Sequence, residues 1–268
     1  MIDIDAIKAG LDRGEFFLEY LPTMSLQDGS CIGAEALIRW RRAQGIVEPM
    51  DFIPVAENTP VSGLLTFWVL EAVAGELGDW LRAHPDTRLA INVPPEIIGR
   101  GGISYVAQRL GLMDLAPQIV LELTERGLPD AIGIQALKDS ARNRRVRIAL
   151  DDVSLDGAAA VALLARGSFD IIKLDRHLVS QIAASAPRPP WLDDLATLAQ
   201  LQRLEVIAEG VETAQQLAAL REVGVQAAQG FYFSQPLAAA EFMAFHRRCA
   251  AGANGANAKP GNDGAALD

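Results

Sequence analysis

Short apolar runs rich in β-branched residues alternate along this chain with longer stretches of helical period, and that alternation constrains the fold more than any other feature. Eight runs read as strands, at residues 16–26, 31–39, 89–93, 118–123, 147–151, 169–174, 205–208 and 227–233. The first two flank Gln27-Asp28-Gly29-Ser30, a hairpin turn with Asp-Gly at its centre, and are therefore antiparallel to each other. The later runs are separated by helical segments such as 131–144, 192–203 and 214–223, as βαβ units require. Eight strands with intervening helices in about 250 residues predict an α/β fold, a modified TIM (β/α)8 barrel with one antiparallel strand near the N-terminus. A doubly wound open sheet is the main alternative. No GxGxxG opens a helix after any strand, which weakens its dinucleotide-binding version.

Hydrophobic residues make up 50% of the 268 and charged residues 22%, enough to bury a core, which excludes a mainly disordered chain, a collagen and a disulfide-stapled mini-protein. Residues 1–250 read as one barrel domain. From 251 to 268 the chain is mostly Gly, Ala and Asn, with Leu267 its one large apolar residue, and reads as a disordered tail. The Pro-rich stretch at 186–190 is too short to separate domains and reads as a loop between helices. Lysine and arginine total 24 against 34 acidic residues, a net charge of −10. Such a surface repels polyphosphate, so neither a DNA or RNA duplex nor an anionic membrane is expected as a partner; a small anionic substrate needs a local cation. Cys31 and Cys249 lie far apart without CxxC spacing, which predicts a reducing, cytoplasmic setting and no zinc ribbon. No apolar run reaches membrane-spanning length; the best, 61–70, is followed by Glu71 and reads as a buried helix. The N-terminus has no basic region followed by an apolar core and is not a secretory signal.

Polar residues recur at one end of nearly every strand. The second strand carries Glu35 and Arg39, the third ends in Asn92, and the fourth in Glu122 and Glu125. The fifth ends in Asp151-Asp152, the sixth in Lys173 and Asp175, the seventh in Glu209 and Glu212, and the eighth carries Gln229. Taken singly, a Glu or Asp after a strand is most simply a helix cap or a turn residue, and Glu212 with Thr213 reads as the opening of a helix. The joint pattern is different. In a barrel these ends converge on one face, and the oxygen donors Glu35, Asn92, Glu122, Asp151, Asp152 and Glu209 crowd together. That much like charge in one cleft is destabilising unless cations hold it. Carboxylates and an amide, without thiolate or imidazole, suit Mg²⁺, Mn²⁺ or Ca²⁺ rather than Zn²⁺. The adjacent Asp pair allows two ions, able to clamp phosphoryl oxygens and activate a water. Lys173 is the one cation among them, placed to orient that water or offset transition-state charge.

Other chemistries fit less well. His84, His177 and His246 are scattered and read as surface or interface residues, and no GxSxG is present. Cys31 lies in a strand and packs inward, with no histidine beside it in sequence. Trp40, Trp68, Trp80 and Trp191 read as core or helix-packing residues.

These motifs resemble, in order, those of the EAL family of bacterial cyclic di-GMP phosphodiesterases. GAEALIRW contains Glu35-Ala36-Leu37; PMDFIPVAE spans 49–57, INV 91–93, LELTE 121–125, ALDD 149–152, IKLD 172–175, IAEGVET 207–213 and QGFYFSQP 229–236. The similarity runs from about residue 16 to 245, and although each motif alone is weak the set is highly specific. The resemblance implies a barrel that hydrolyses one phosphodiester of cyclic di-GMP to linear pGpG with two divalent cations, Mg²⁺ or Mn²⁺, and with Ca²⁺ inhibitory. It assigns Glu35, Asn92, Glu122 and Asp151 to one ion, and Asp151, Asp152 and Glu209 to the second. It gives Lys173, with Glu35 and Glu209, the catalytic roles, Lys173 on the nucleophilic water. Arg39 matches the arginine that holds substrate phosphate, and Asp175, Glu212, Gln229 and Pro236 match further residues of the substrate site.

Two departures stand out. The family's first strand reads Tyr-Gln-Pro, its glutamine facing a guanine; here the residues are Tyr20-Leu21-Pro22, so weaker substrate binding is expected. After the Asp pair the family reads Phe-Gly-Thr-Gly-Tyr-Ser-Ser, a loop that positions the second metal and couples the site to a dimer interface. Here it reads Val153-Ser154-Leu155-Asp156-Gly157-Ala158-Ala159, although Glu125, which anchors that loop in the family, is retained. An enzyme of reduced activity is expected. The alternative is a catalytically silent module acting as a cyclic di-GMP receptor or a protein-interaction regulator. The resemblance also implies a homodimer and allows a regulatory protein partner.

Overall fold

The computed structural model describes residues 2–124, 129–143, 146–153, 169–183, 188–202 and 204–256. Strands β1 (Phe16–Ser25) and β2 (Cys31–Arg42) form the expected antiparallel hairpin, in register from Phe16 opposite Trp40 to Leu21 opposite Glu35. Its turn is tied locally: Ser25 Oγ accepts from the Gln27 amide, and Asp28 Oδ1 accepts from the Ser30 amide. A short strand that the sequence pattern does not announce, β3 (Gly45–Val47), folds back on β2.

From there the sheet is parallel. Strand β4 (Arg88–Asn92) pairs with β2, followed in order by β5 (Ile119–Thr124), β6 (Arg147–Val153), β7 (Ile171–Leu174) and β8 (Glu205–Ala208). The last, β9 (Ala227–Ala228), is parallel to β8 and antiparallel to β1, so β1 joins both ends and closes an eight-strand barrel with β3 outside it. This is the predicted barrel, and closure excludes the open sheet. The expected strand at 227–233 shrinks to two residues because Gly230 takes φ +149 and a turn follows at 231–233. A Cβ at Gly230 would lie 2.3 Å from the backbone of Val211, so only glycine fits.

Helices on the outside are α1 (Ile4–Asp12), α2 (Pro49–Ala56), α3 (Pro60–Ala83), α4 (Gly102–Arg109), α5 (Ala131–Asn143), α6 (Arg176–Ser180), α7 (Pro190–Gln202), α8 (Ala214–Glu222) and α9 (Ala239–Ala256). The expected run at 61–70 is only the first part of α3. Over 24 residues this helix has the length and composition to cross a membrane, contrary to the sequence expectation, yet 56% of its apolar window is buried in the fold. Its acidic residues do not end it, since glutamate is a good helix former, and Glu76 Oε2 accepts a hydrogen bond from the buried Tyr20 hydroxyl at 2.9 Å. Helix α9 runs to Ala256, into the stretch expected to be tail, and residues 257–268 lie outside the described residues.

Two apolar layers separate barrel from helices. One gathers Tyr20, Trp40, Phe52, Leu77 and Phe242 beneath α1, α2, α3 and α9. The other packs β6 to β9 against α6, α7 and α8 around Leu150, Val179, Leu192 and Leu220. Trp40 stacks on Phe16, and Trp80 stacks on His84 and meets Phe242 and His246 edge-on, so these tryptophans have the packing role read from sequence. Cys31 is a buried free thiol that burial pushes up to about 12.

Candidate active site

The barrel interior is built in three layers by the period of two along each strand. At the N-terminal mouth Arg88 and Arg147 both bind the carboxylate of Glu205, at 2.6–2.8 Å. Two residues further along these strands come Ala90, Ala149 and Ile207, joined by Val120, Ile171 and Ala227 of β5, β7 and β9 in one apolar layer. Two residues further again come Asn92, Glu122, Asp151, Lys173, Glu209 and Gln229 at the C-terminal mouth. The apolar layer leaves the upper polar groups no partners from below, so they must satisfy one another.

They do so around Lys173, whose side chain is 1% exposed. Its ammonium lies 2.6 Å from Glu209 Oε1, 2.9 Å from both Glu35 Oε2 and Glu122 Oε1, and 3.2 Å from Asp151 Oδ1. Asn92 Nδ2 donates to Glu35 Oε1 at 2.8 Å. Asp152 joins the same group through a bulge: Leu150 pairs with Ile172 and Val153 with Leu174, so β6 carries one extra residue here, and Asp152 takes φ +57. Carboxylate oxygens of Glu35, Glu122 and Asp151 come within 4.8 Å of one another, as do those of Asp151, Asp152 and Glu209. All six predicted oxygen donors are therefore brought together.

One ammonium is too little charge for this group. Burial pushes the carboxyls of Glu122 and Glu209 well above the usual range and Asp151 up to about 6, with Lys173 opposing each shift. At Glu35 burial acts upward too, but the Lys173 charge and hydrogen bond prevail and hold it below its ordinary value. Lys173 is lowered by burial and raised more by Asp151, Glu122, Glu209 and Glu35, so it stays protonated. Glu122 Oε2 and Asp151 Oδ1 remain buried without a hydrogen-bond partner. Buried carboxyl oxygens without a hydrogen bond, beside further carboxylates, are what a hard divalent cation satisfies, so the donor set fits a metal centre.

A cleft of about 550 Å³ opens beside the cluster. Asn92, Glu122 and Asp152 form its polar end, and Met50, Ile53 and Pro54 of α2 with Val93 and Pro94 form its apolar wall. The sequence showed the 49–57 motif without showing that α2 builds this wall.

The remaining predicted residues divide. Gln229 is buried at the same mouth, donating to Thr23 Oγ1 at 2.9 Å and to the Leu21 carbonyl at 3.4 Å, with its own oxygen unpaired. Leu21 lies opposite Glu35 in the hairpin and is half-buried. Pro236 is half-buried beside Leu237, which bridges to Tyr20. Arg39 is held by Glu19 at 2.9 Å, with Glu48 at 3.7 Å, rather than by the central carboxylates. Asp175 caps α6, accepting from the His177 amide, which accounts for its place after β7. Glu212 is exposed at the start of α8, where Thr213 and Gln216 form a capping box. Glu125 and residues 154–159 lie outside the described residues.

The chain matches the EAL domain family over residues 4–236 and belongs to it. It is 31% identical over 240 residues to the probable cyclic di-GMP phosphodiesterase PdeB of Escherichia coli, covering 88% of this chain and 46% of that protein. It is 34% identical to the cyclic di-GMP phosphodiesterase NbdA of Pseudomonas aeruginosa, covering 91% of this chain and 32% of NbdA. The chain thus spans less than half the length of these relatives. Among solved structures, the PaMucR phosphodiesterase in complex with c-di-GMP superposes with a TM-score of 0.78 at 27% identity, over 89% of this chain and 98% of that one. The EAL domain of Mycobacterium smegmatis DcpA gives 0.69 at 27%, over 87% and 98%.

Proposed function

We propose that this chain is the catalytic domain of a metal-dependent phosphodiesterase that hydrolyses one phosphodiester of cyclic di-GMP to linear pGpG. The observation that carries the reading is the convergence of five carboxylates and Asn92 around Lys173 at the barrel mouth, with two buried carboxyl oxygens left without a hydrogen bond. The names of PdeB and NbdA and the dinucleotide bound to PaMucR support the substrate.

Glu35, Asn92, Glu122 and Asp151 would hold one ion, and Asp151, Asp152 and Glu209 the second. Mg²⁺ or Mn²⁺ bound there would acidify a water and polarise the phosphoryl oxygens, whereas Ca²⁺, with looser geometry, would occupy the site without supporting turnover. Lys173 orients the attacking water and offsets charge building on the phosphoryl group, held in position by Glu35 and Glu209. Arg39 binds substrate phosphate on exchanging its contact with Glu48, the longer of its two carboxylate partners. The cleft wall of Met50, Ile53 and Pro54 gives a guanine an apolar face. Gln229, Leu21 and Pro236 border the other side of the mouth, Glu212 stands at its rim, and Asp175 acts at one remove by capping α6. A cytoplasmic homodimer, open to a regulatory protein partner, completes the proposal.

Calorimetry with cyclic di-GMP in Ca²⁺, followed by exchange into Mg²⁺, tests it. Binding in Ca²⁺ followed by hydrolysis in Mg²⁺ is expected; binding in both without turnover would instead make the chain a receptor.

A further inference from the structure

The structure assigns Lys173 a second role, one that rests on the metal-centre reading above: it is a resident counter-ion that competes with divalent metal for the carboxylates and sets the metal concentration at which the site fills. Four of the six proposed metal-binding side chains contact its ammonium, at 2.6–3.2 Å. The side chain is 1% exposed, and Glu35, Glu122 and Asp151 are themselves buried, so the ammonium, rather than solvent, is the main charge neutralising them. Without Lys173, five carboxylates would meet at the barrel mouth with no cation between them, an arrangement that a metal-free protein would not hold.

An ammonium has three N–H donors, and here it faces four carboxylates. Glu209, Glu122 and Glu35 take the three shorter contacts. Asp151, at 3.2 Å, is left over, and its Oδ1 is one of the two buried oxygens without a hydrogen bond. The other is Glu122 Oε2. Glu122 Oε2 is therefore open to a divalent cation while Lys173 stays in place, whereas Asp151 Oδ1 faces the ammonium at 3.2 Å, so a complete metal shell requires Lys173 to release contacts to these carboxylates. Lys173 and metal are alternative partners for the same lone pairs, so removal of its charge strengthens metal binding and weakens the metal-free fold.

The test compares the wild type, Lys173→Met and Lys173→Arg, with Mn²⁺ as the probe. Free Mn²⁺ is read by electron paramagnetic resonance, and melting temperature is read in chelator and in Mn²⁺. Lys173→Met is expected to melt lower than wild type in chelator, to gain more from Mn²⁺, and to bind Mn²⁺ at least ~10-fold more tightly. Lys173→Arg, which keeps the charge, should bind Mn²⁺ no more tightly than wild type. Equal or weaker Mn²⁺ binding by Lys173→Met, or equal strengthening by Lys173→Arg, would overturn the proposal while leaving the metal centre intact. A wild type that binds no Mn²⁺ would overturn both. Should Lys173→Met fail to fold even in Mn²⁺, the double variant Lys173→Met/Glu209→Gln, which removes one charge of each sign, is expected to fold in chelator; a double variant no more stable than the single would overturn the counter-ion role.

Discussion

Lys173 Nζ lies 2.6 Å from Glu209 Oε1, and the barrel's register accounts for it. Lys173 pairs with Ile207 across the β7–β8 ladder, and Glu209 stands two residues beyond Ile207 on the same face. The same step of two carries Arg147 through Ala149 to Asp151, and Arg88 through Ala90 to Asn92. The site is thus the top storey of an alternation that also fixes the apolar layer and the ion-paired floor.

The bulge at Asp152 yields the first prediction. At φ +57 a side chain without a local polar group is strained, whereas Asn tolerates this conformation nearly as well as Asp. Asp152→Ala should be less stable than Asp152→Asn by about 1 kcal/mol in chemical denaturation. Both should lose Mn²⁺ affinity, because both lack the carboxylate. Equal stabilities would mean that the left-handed backbone stores no strain here.

The floor of the barrel gives a pH-dependent prediction. Burial raises the Glu205 carboxyl, but hydrogen bonds and charge from Arg88 and Arg147 outweigh this and leave it below its ordinary value. A depressed carboxyl stabilises the fold above its unfolded pKa of about 4.3, and that contribution is lost as pH falls through the lower folded value. Glu205→Gln should cost about 2 kcal/mol at pH 7, since two half-buried arginines lose their counter-charge. The gap from wild type should narrow below pH 4. A gap that stays constant with pH would contradict the assignment.

The loop after Asp152 supplies a third. Val153, at its root, is buried, and its carbonyl accepts from the Asp175 amide at 3.2 Å. Replacing residues 153–159 with Phe-Gly-Thr-Gly-Tyr-Ser-Ser should lower the Mg²⁺ concentration for half-maximal rate by roughly 10-fold, the scale on which supporting groups tune metal ligands. A folded graft with unchanged rate and Mg²⁺ dependence would show that this loop does not limit the enzyme.

Much of this was legible in the sequence because barrel strands write their period directly. The runs of apolar residues located the strands, and their polar ends located Glu35, Asn92, Glu122, Asp151, Asp152, Lys173 and Glu209. Less legible were relations between distant residues. Nothing near Arg88 or Arg147 in sequence points to Glu205, and nothing near Glu76 points to Tyr20 as its partner. The short β9 depends on the close approach of Gly230 to Val211, which no local pattern encodes. Asp175 and Glu212 belong to helix starts, so their place at strand ends alone was ambiguous.

The central claim is metal-dependent hydrolysis at this cluster, and product chromatography of cyclic di-GMP incubated with the purified chain tests it most directly. In Mg²⁺ or Mn²⁺ one linear pGpG should appear per substrate consumed, with no product in chelator, strong inhibition by Ca²⁺, and a rate at least ~100-fold lower for Glu35→Ala. Full turnover after exhaustive chelation, or an intact dinucleotide after prolonged incubation with Mg²⁺ and Mn²⁺, would contradict it.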